Sequence, residues 1–433
     1  MALLITRACC GGSKPNVAQP ASNPTAPNRI IHVSVEGWRD IQHSYAVVNQ
    51  FQLLELIKRP DVRVSVVDMP FYRSWWRKTS GLFNAEQAAV LAALPLTNHS
   101  SHNDRPHVIL RVTFPMDLRP APRRIPTWVF GTTELLIPIN AMRGSGSPPW
   151  SALGGVDPFV GVVTPSHWSL RGFRRGGVAA SRLRVVPHGV DPAVFRPASA
   201  ARRTELRRKL GWKGRTVFLS VGSRIGSKGL PDLLRAFRPL HDSYPRAKLV
   251  LKLADSVYNS SRQHVELVRS QHLVDSGAIE YIGTSLSFEH MAELYQAADV
   301  YVSPYRGEGF NIPVLEAAAC GLPVVVTKGG ATEDFVLPSF ALKVAAEERP
   351  VSVEGGAQTG QWLVPNVEHL RQQMQHAMHD EKLVARARRE APSHVHTHFS
   401  WTAAVERLVA VFREGIQEQA TANRALSEES CFE

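Results

Sequence analysis

The sequence predicts an α/β protein of about two domains, each built on a parallel sheet covered on both faces. Two observations carry this. Short apolar runs alternate with segments of helical period along most of the chain, the order that lays helices over both faces of parallel strands. At 433 residues, the chain also exceeds what one ordinary core holds.

Residues 1–28 are rich in Ala, Pro, Ser and Asn, carry no hydrophobic period and read as a disordered tail. Their apolar start is too short for a secretion signal. The first strand is Arg29 to Val35. Glu36-Gly37-Trp38 follows, then a helix from His43 to Ile57 and a strand from Val62 to Val67, a βαβ opening. Further strands are expected at His107 to Val112, Thr127 to Phe130 and Gly161 to Thr164, the last leading through Pro165-Ser166 into a helix. Two stretches interrupt the pattern, a polar one at 95–106 with His99 and His102, and RGSGSPPWSALGG at 143–155. The first lacks the Cys or paired carboxylates of a metal site, and the second reads as a flexible loop.

Beyond residue 190 the alternation resumes. A strand spans Thr216 to Val221, the loop Gly222 to Gly229 carries Arg224 and Lys228, and a helix starts near Pro231. Strands Ala247 to Leu253 and Ile279 to Ile282 follow, the second ending at Gly283, then a helix from Met291 to Ala298. Late in the chain, Phe399-Ser400-Trp401 opens an amphipathic helix with Ala404, Leu408, Val411 and Phe412 on one face.

The most informative stretch is YVSPYRGEGFNIPVLE at 301–316. It reads as a strand ending at Ser303, a Gly-rich turn, and a helix opened by Pro313 with Asn311 as its N-cap. Gly321 stops the helix, and Val324 to Thr327 form the next strand. Loops at the carboxyl ends of parallel strands are where ligands bind in open α/β sheets. The free N–H groups of Gly309, Phe310, Asn311 and Ile312 at a helix start favour an anion. Glu308 sits in the loop, and Glu316 is read as lying in the first helical turn.

Glu308 and Glu316 have seven residues between them. Within the run YVSPYRGEGFNIPVLEAAACGLPVVVTKGGATEDF this spacing resembles the E-x7-E motif of the retaining glycosyltransferases of family 4. The stretch Val185-Val186-Pro187-His188-Gly189-Val190-Asp191 resembles that family's interdomain junction. The resemblance covers residues 160–415 well, 29–159 weakly and the tails not at all. It implies the GT-B fold, two Rossmann-like domains with parallel sheets facing a cleft. Residues 29–190 would bind the acceptor, 191–398 the nucleotide sugar, 399–416 would cross back to the first domain, and 417–433 would form a tail.

The resemblance also assigns roles. Glu308 would touch sugar hydroxyls and Glu316 the nucleotide ribose. Arg224 and Lys228, standing one residue closer together than in the family pattern, would hold the leaving diphosphate, with Gly222 opening their loop. The base would pack near Ile282-Gly283. On the acceptor side Gly37 would let its loop approach a ligand, and His43 and Glu134 are polar groups near strand ends. His43 reads first as a structural histidine at a helix start. A diphosphate leaving group needs fixed cations or aligned dipoles.

No Asp-x-Asp occurs, so no metal is expected, and no Gly-x-Gly-x-x-Gly argues for a nicotinamide cofactor. No cofactor beyond the nucleotide-sugar substrate is expected. The four cysteines, Cys9, Cys10, Cys320 and Cys431, make neither a disulfide framework nor a zinc spacing, which points to a reducing, cytoplasmic setting. Net charge is +12 with the arginines scattered, which argues against nucleic acid and suits anionic donors or peripheral contact with anionic lipid. The acceptor class, glycan, lipid or protein, stays open. So do a nucleotide-sugar-binding regulatory role without turnover and another activity of the same fold, such as a sugar-nucleotide epimerase.

Overall fold

The computed structural model describes residues 30–97, 105–138, 159–223, 226–253, 270–353 and 358–429. The tail at 1–28 with Cys9 and Cys10, His99 and His102, the loop at 143–155, Arg224 and Cys431 lie outside the described residues.

The first half forms a six-stranded sheet in the order β2-β1-β3-β4-β5-β6. Its strands are β1 (Ile31–Gly37), β2 (Val62–Asp68), β3 (Val108–Val112), β4 (Thr127–Phe130), β5 (Val160–Thr164) and β6 (Leu183–Val185), and every pair is parallel. Helices α1 (Ser44–Leu56), α2 (Ala85–Ala92) and α3 (His167–Arg175) connect them. The central strands are buried throughout, as a parallel sheet covered on both faces requires.

The second half repeats the plan after α4 (Ala200–Lys209), in the order β12-β11-β10-β7-β8-β9. Here β7 is Thr216–Gly222, β8 Ala247–Leu253, β9 Ile279–Ile282, β10 Val300–Ser303, β11 Val324–Thr327 and β12 Ala341–Val344, again all parallel. The helices are α5 (Leu230–Ser243), α6 (Gln271–Asp275), α7 (Phe288–Ala297), α8 (Ile312–Ala319), α9 (Val367–His379) and α10 (Glu381–His398). An antiparallel hairpin, β13 (Ala346–Val353) with β14 (Gln358–Pro365), stands apart from both sheets.

The last helix, α11, runs Trp401–Glu429 and packs on the first domain, its Trp401 ring stacked on Phe51 at 5.1 Å. The expected end of this helix at 416, with a tail from 417, is corrected. The helix continues because first-domain partners hold it. Gln419 Nε2 donates to the Arg124 carbonyl at 2.6 Å, and Arg182 meets Glu418 at 3.4 Å. Among the described residues no helix is long and apolar enough to cross a membrane.

Candidate functional site

Strand order explains why distant residues meet. From β7 the chain steps outward through β8 and β9, then returns to the other side of β7 as β10. The β7/β10 boundary is therefore a topological switch point, where the loops leaving the two strands open a crevice. One loop carries Lys228 and the other Glu308. Lys228 Nζ lies 2.9 Å from Glu308 Oε1 and 3.7 Å from Glu134 Oε1, which comes from the loop after β4 in the first domain. The carboxyl edges of the two sheets thus face each other across this triad.

Glycines permit the close approach. A Cβ on Gly307 would lie 2.9 Å from the Glu134 carbonyl oxygen, and one on Gly309 2.7 Å from Thr132 Cβ. Gly229 has φ of 68° and would press a Cβ to 1.9 Å from the Pro304 carbonyl oxygen, so only glycine fits there. Ser166, the N-cap of α3, donates its hydroxyl to the Gly309 carbonyl at 2.6 Å, tying the first domain to the second-domain loop.

Burial pushes the Glu308 carboxyl above the usual carboxylate range. Lys228 opposes the shift and Glu134 adds to it. Lys228 is therefore the group that most favours the charged form of Glu308.

The loops are pinned from below. Asp232, in the first turn of α5 and fully buried, accepts two bonds from Arg306, Nε to Oδ2 at 2.7 Å and Nη2 to Oδ1 at 2.9 Å. The N–H groups of Arg306 and Gly307 donate to the Ser227 carbonyl at 2.7 and 3.1 Å. The Arg306 guanidinium also lies over the Trp362 ring of β14 at 5.3 Å. β14 in turn reaches the first domain, Gln361 N–H donating to the Leu135 carbonyl at 2.9 Å. Around the same loop the buried hydroxyls of Ser223 and Ser227 have no hydrogen-bond partner among the described residues.

Two local readings of α8 are corrected. Asn311 occupies the N-cap position at φ 79°, but its side chain does not cap. Its Nδ2 donates to Ser303 Oγ at 2.9 Å, which fixes the turn between β10 and α8 instead. Because α8 begins at Ile312, Glu316 falls at the start of the second turn, and no acid occupies the first. Glu316 accepts from Tyr295 Oη at 2.7 Å, and burial raises its carboxyl to about 7. Phe310 is core, packed on Phe335 at 4.9 Å, so its main chain alone is available to a ligand. Ile312 is half-buried beside it. Gly222 ends β7, and Gly283 follows the edge strand β9.

On the first-domain side the three expected residues separate. Glu134 joins the triad. His43 caps α1, its Nδ1 accepting from the Tyr45 N–H at 3.2 Å, and packs edge-on against Trp38 at 5.3 Å. Burial lowers its imidazole to about 4, so it is neutral near pH 7. Gly37 makes room for Asn49, whose Nδ2 would lie 2.5 Å from an added Cβ. Sequence reasoning missed Asp232, Arg306 and Tyr295. Arg306 stood inside the quoted motif, and Asp232 was signalled by its place one residue after Pro231 at a helix start.

Residues 202–394 match the family model described as glycosyl transferases group 1. Among curated proteins, the chain is 28% identical over 215 residues to a GDP-mannose-dependent monoacylated alpha-(1-6)-phosphatidylinositol monomannoside mannosyltransferase of Corynebacterium glutamicum, covering 46% of this chain and 54% of that protein. It is 30% identical over 260 residues to a D-inositol 3-phosphate glycosyltransferase of Kineococcus radiotolerans, covering 56% and 54%. The chain thus spans about half the length of the curated relatives it matches. Among solved structures, sucrose-phosphate synthase from Thermosynechococcus elongatus superposes with a TM-score of 0.63 at 17% identity, over 89% of this chain and 98% of that one. Anabaena HepE, in complex with UDP and glucose, superposes with a TM-score of 0.62 at 15% identity, over 88% and 99%. Two parallel six-stranded sheets meeting at their carboxyl edges are the GT-B fold, and residues 202–394 in the second domain are similar to the glycosyl transferases group 1.

Proposed function

We propose that the protein is a retaining, metal-independent glycosyltransferase that moves a sugar from a nucleoside diphosphate sugar to an acceptor hydroxyl. The observation that carries the reading is the Lys228–Glu308–Glu134 triad at the β7/β10 switch point, where one cation serves two carboxylates from opposite domains. In the reaction the acceptor oxygen forms the new anomeric bond, the diphosphate leaves with the electron pair of the old one, and the acceptor's hydroxyl proton passes to the departing diphosphate. Lys228 offers fixed positive charge to that leaving group. Arg224, in the same loop, is assigned to the diphosphate as well. Glu308, released from Lys228 when the diphosphate binds, is placed to accept from sugar hydroxyls. The printed names of the relatives support the donor class, one being GDP-mannose-dependent and one solved structure holding UDP and glucose. The reading places the enzyme in the cytoplasm, its net charge of +12 suiting contact with anionic lipid.

Anomeric proton coupling in the first-formed product tests the reaction class. The donor configuration should be retained, and an inverted product would overturn the assignment. The same assay run in excess EDTA should keep its rate, because Lys228 and Arg224 are assigned the positive charge at the diphosphate that other enzymes take from Mg²⁺ or Mn²⁺. Activity that dies in EDTA and returns with Mn²⁺ argues for a metal at the diphosphate.

Glu316 is proposed to accept from the ribose diol. Replacing it by Ala should weaken nucleoside diphosphate binding by about 1–3 kcal/mol, the scale of a charged hydrogen bond. With its carboxyl raised to about 7, wild-type affinity should climb as the pH passes through 7 and the acceptor ionises. In Glu316→Gln that climb should vanish. Calorimetry at several pH values decides both points, and a Glu316→Gln profile matching wild type removes Glu316 from the site. The same shift makes Glu316 a source of instability. Between the ordinary carboxylate value and about 7, the folded protein holds a proton that the unfolded chain has released, so its contribution to stability falls as pH rises through that window.

A further inference from the structure

The three groups of the triad stand on three separate loops, and three consecutive residues of β14 touch all three. The Gln361 N–H donates to the carbonyl of Leu135, the residue after Glu134, at 2.9 Å. The Trp362 ring lies against Gly226, two residues before Lys228. A Cβ there would stand 3.3 Å from Trp362 Cη2 and 3.5 Å from Cζ2. The Leu363 N–H donates to the carbonyl of Arg306, two residues before Glu308, at 2.8 Å.

The sequence of the hairpin prepares this edge. Pro350 stands opposite Gln361 in the antiparallel register. Having no N–H, Pro350 cannot exchange ladder bonds with Gln361, so the Gln361 N–H is turned away from β13. Leu363, two residues on, points its N–H the same way. Gly360 lets the strand come close, since a Cβ there would lie 2.9 Å from both the Cβ and the carbonyl oxygen of Leu135. Trp362 adds a side-chain contact, its ring lying under the Arg306 guanidinium at 5.3 Å. One ring thus spans the Lys228 and Glu308 loops, and the outer edge of the same strand ties the Glu308 loop to the Glu134 loop.

We infer that Trp362 is a positioning residue for Lys228 and that β14 sets the three triad loops in register, an inference that rests on the glycosyltransferase reading. Chemistry is sensitive to such support, because a displacement of about 1 Å at a reacting group can cost on the order of 100-fold in rate. Glu308 is assigned to the sugar, and Lys228 stands 2.9 Å from it. The lysine therefore meets the phosphate that carries the sugar, the second of the diphosphate. Trp362 acts on that phosphate only through Lys228, so its effect falls on a nucleoside diphosphate and spares the monophosphate.

Calorimetry on the full chain with UDP, UMP, GDP and GMP tests this. Wild type should bind one of the diphosphates more tightly than its monophosphate. Trp362→Ala should lose roughly tenfold in affinity for that diphosphate and keep its affinity for the monophosphate. Trp362→Phe keeps a ring beside Arg306 but not the indole edge that meets Gly226. It should show the same selective loss, and it guards against an Ala variant that does not fold. In a Lys228→Ala background neither substitution should cost anything further, because the ring acts through that lysine. Equal losses on both nucleotides, losses that add to that of Lys228→Ala, or no loss at all would make Trp362 a packing residue of the hairpin and overturn the inference. So would a wild type that binds the two nucleotides alike. Should wild type bind neither diphosphate, the donor reading fails and this inference falls with it.

Discussion

Replacing Lys228 by Ala lowers the rate of sugar transfer by roughly 100-fold, the loss typical when one preorganised electrostatic group is removed from a site. Two effects add. The departing diphosphate loses its nearest fixed cation, whose side chain is 19% exposed. Glu308 loses the one group that opposes its burial, while Glu134 still repels it. Its carboxyl therefore rises further, which favours the protonated form, a donor where the charged form accepts. The protonation also limits the damage to the fold, because a neutral Glu308 is cheaper to bury than an unpaired charge. Single-turnover transfer and thermal unfolding, measured on the same preparation, separate the two consequences. A folded Lys228→Ala protein that turns over like wild type excludes Lys228 from the chemistry. Lys228→Arg keeps the charge but spreads it over a planar fork, and should recover part of the rate.

Much of the second domain was legible because its strands are short, mostly apolar runs. Ala247–Leu253, Ile279–Ile282 and Val324–Thr327 fall where the pattern placed them. The hairpin of β13 and β14 was not legible, since Glu347, Glu348, Arg349 and Pro350 break any apolar alternation and its partners are in other parts of the chain. The motif glutamates were legible by spacing, but their surroundings were not. The exact start of α8 depends on a left-handed Asn311, which moved Glu316 out of the first turn. The meeting of Lys228 with Glu308 depends on strand order, and no local pattern encodes that β10 returns to the near side of β7. On the acceptor side, position near strand ends gave three candidates and the packing separated them. Glu134 reaches the second domain, while His43 and Gly37 serve α1 and its junction with β1.

Asp232→Ala should cost about 3–5 kcal/mol of folding stability, the range for breaking a buried ion pair by deleting one partner. Asp232 is fully buried and holds Arg306 through two parallel bonds of 2.7 and 2.9 Å. Without it the Arg306 guanidinium keeps the face of Trp362 but has lost the carboxylate that compensated its desolvation. The aspartate also sits in the first turn of α5, where a negative charge meets the positive end of the helix dipole. The loss should reach the site, because Arg306 and Gly307 hang from the Ser227 carbonyl and so couple the Lys228 loop to the Glu308 loop. Asp232→Asn keeps the shape and one acceptor, so it should fall between Ala and wild type. Urea titrations give the stabilities, with an unchanged slope required for the comparison. Nucleoside diphosphate affinity at temperatures where each variant remains folded reads the coupling. A midpoint for Asp232→Ala equal to that of wild type would show that this pair does not hold the two loops, and the geometry of the triad would then need another support.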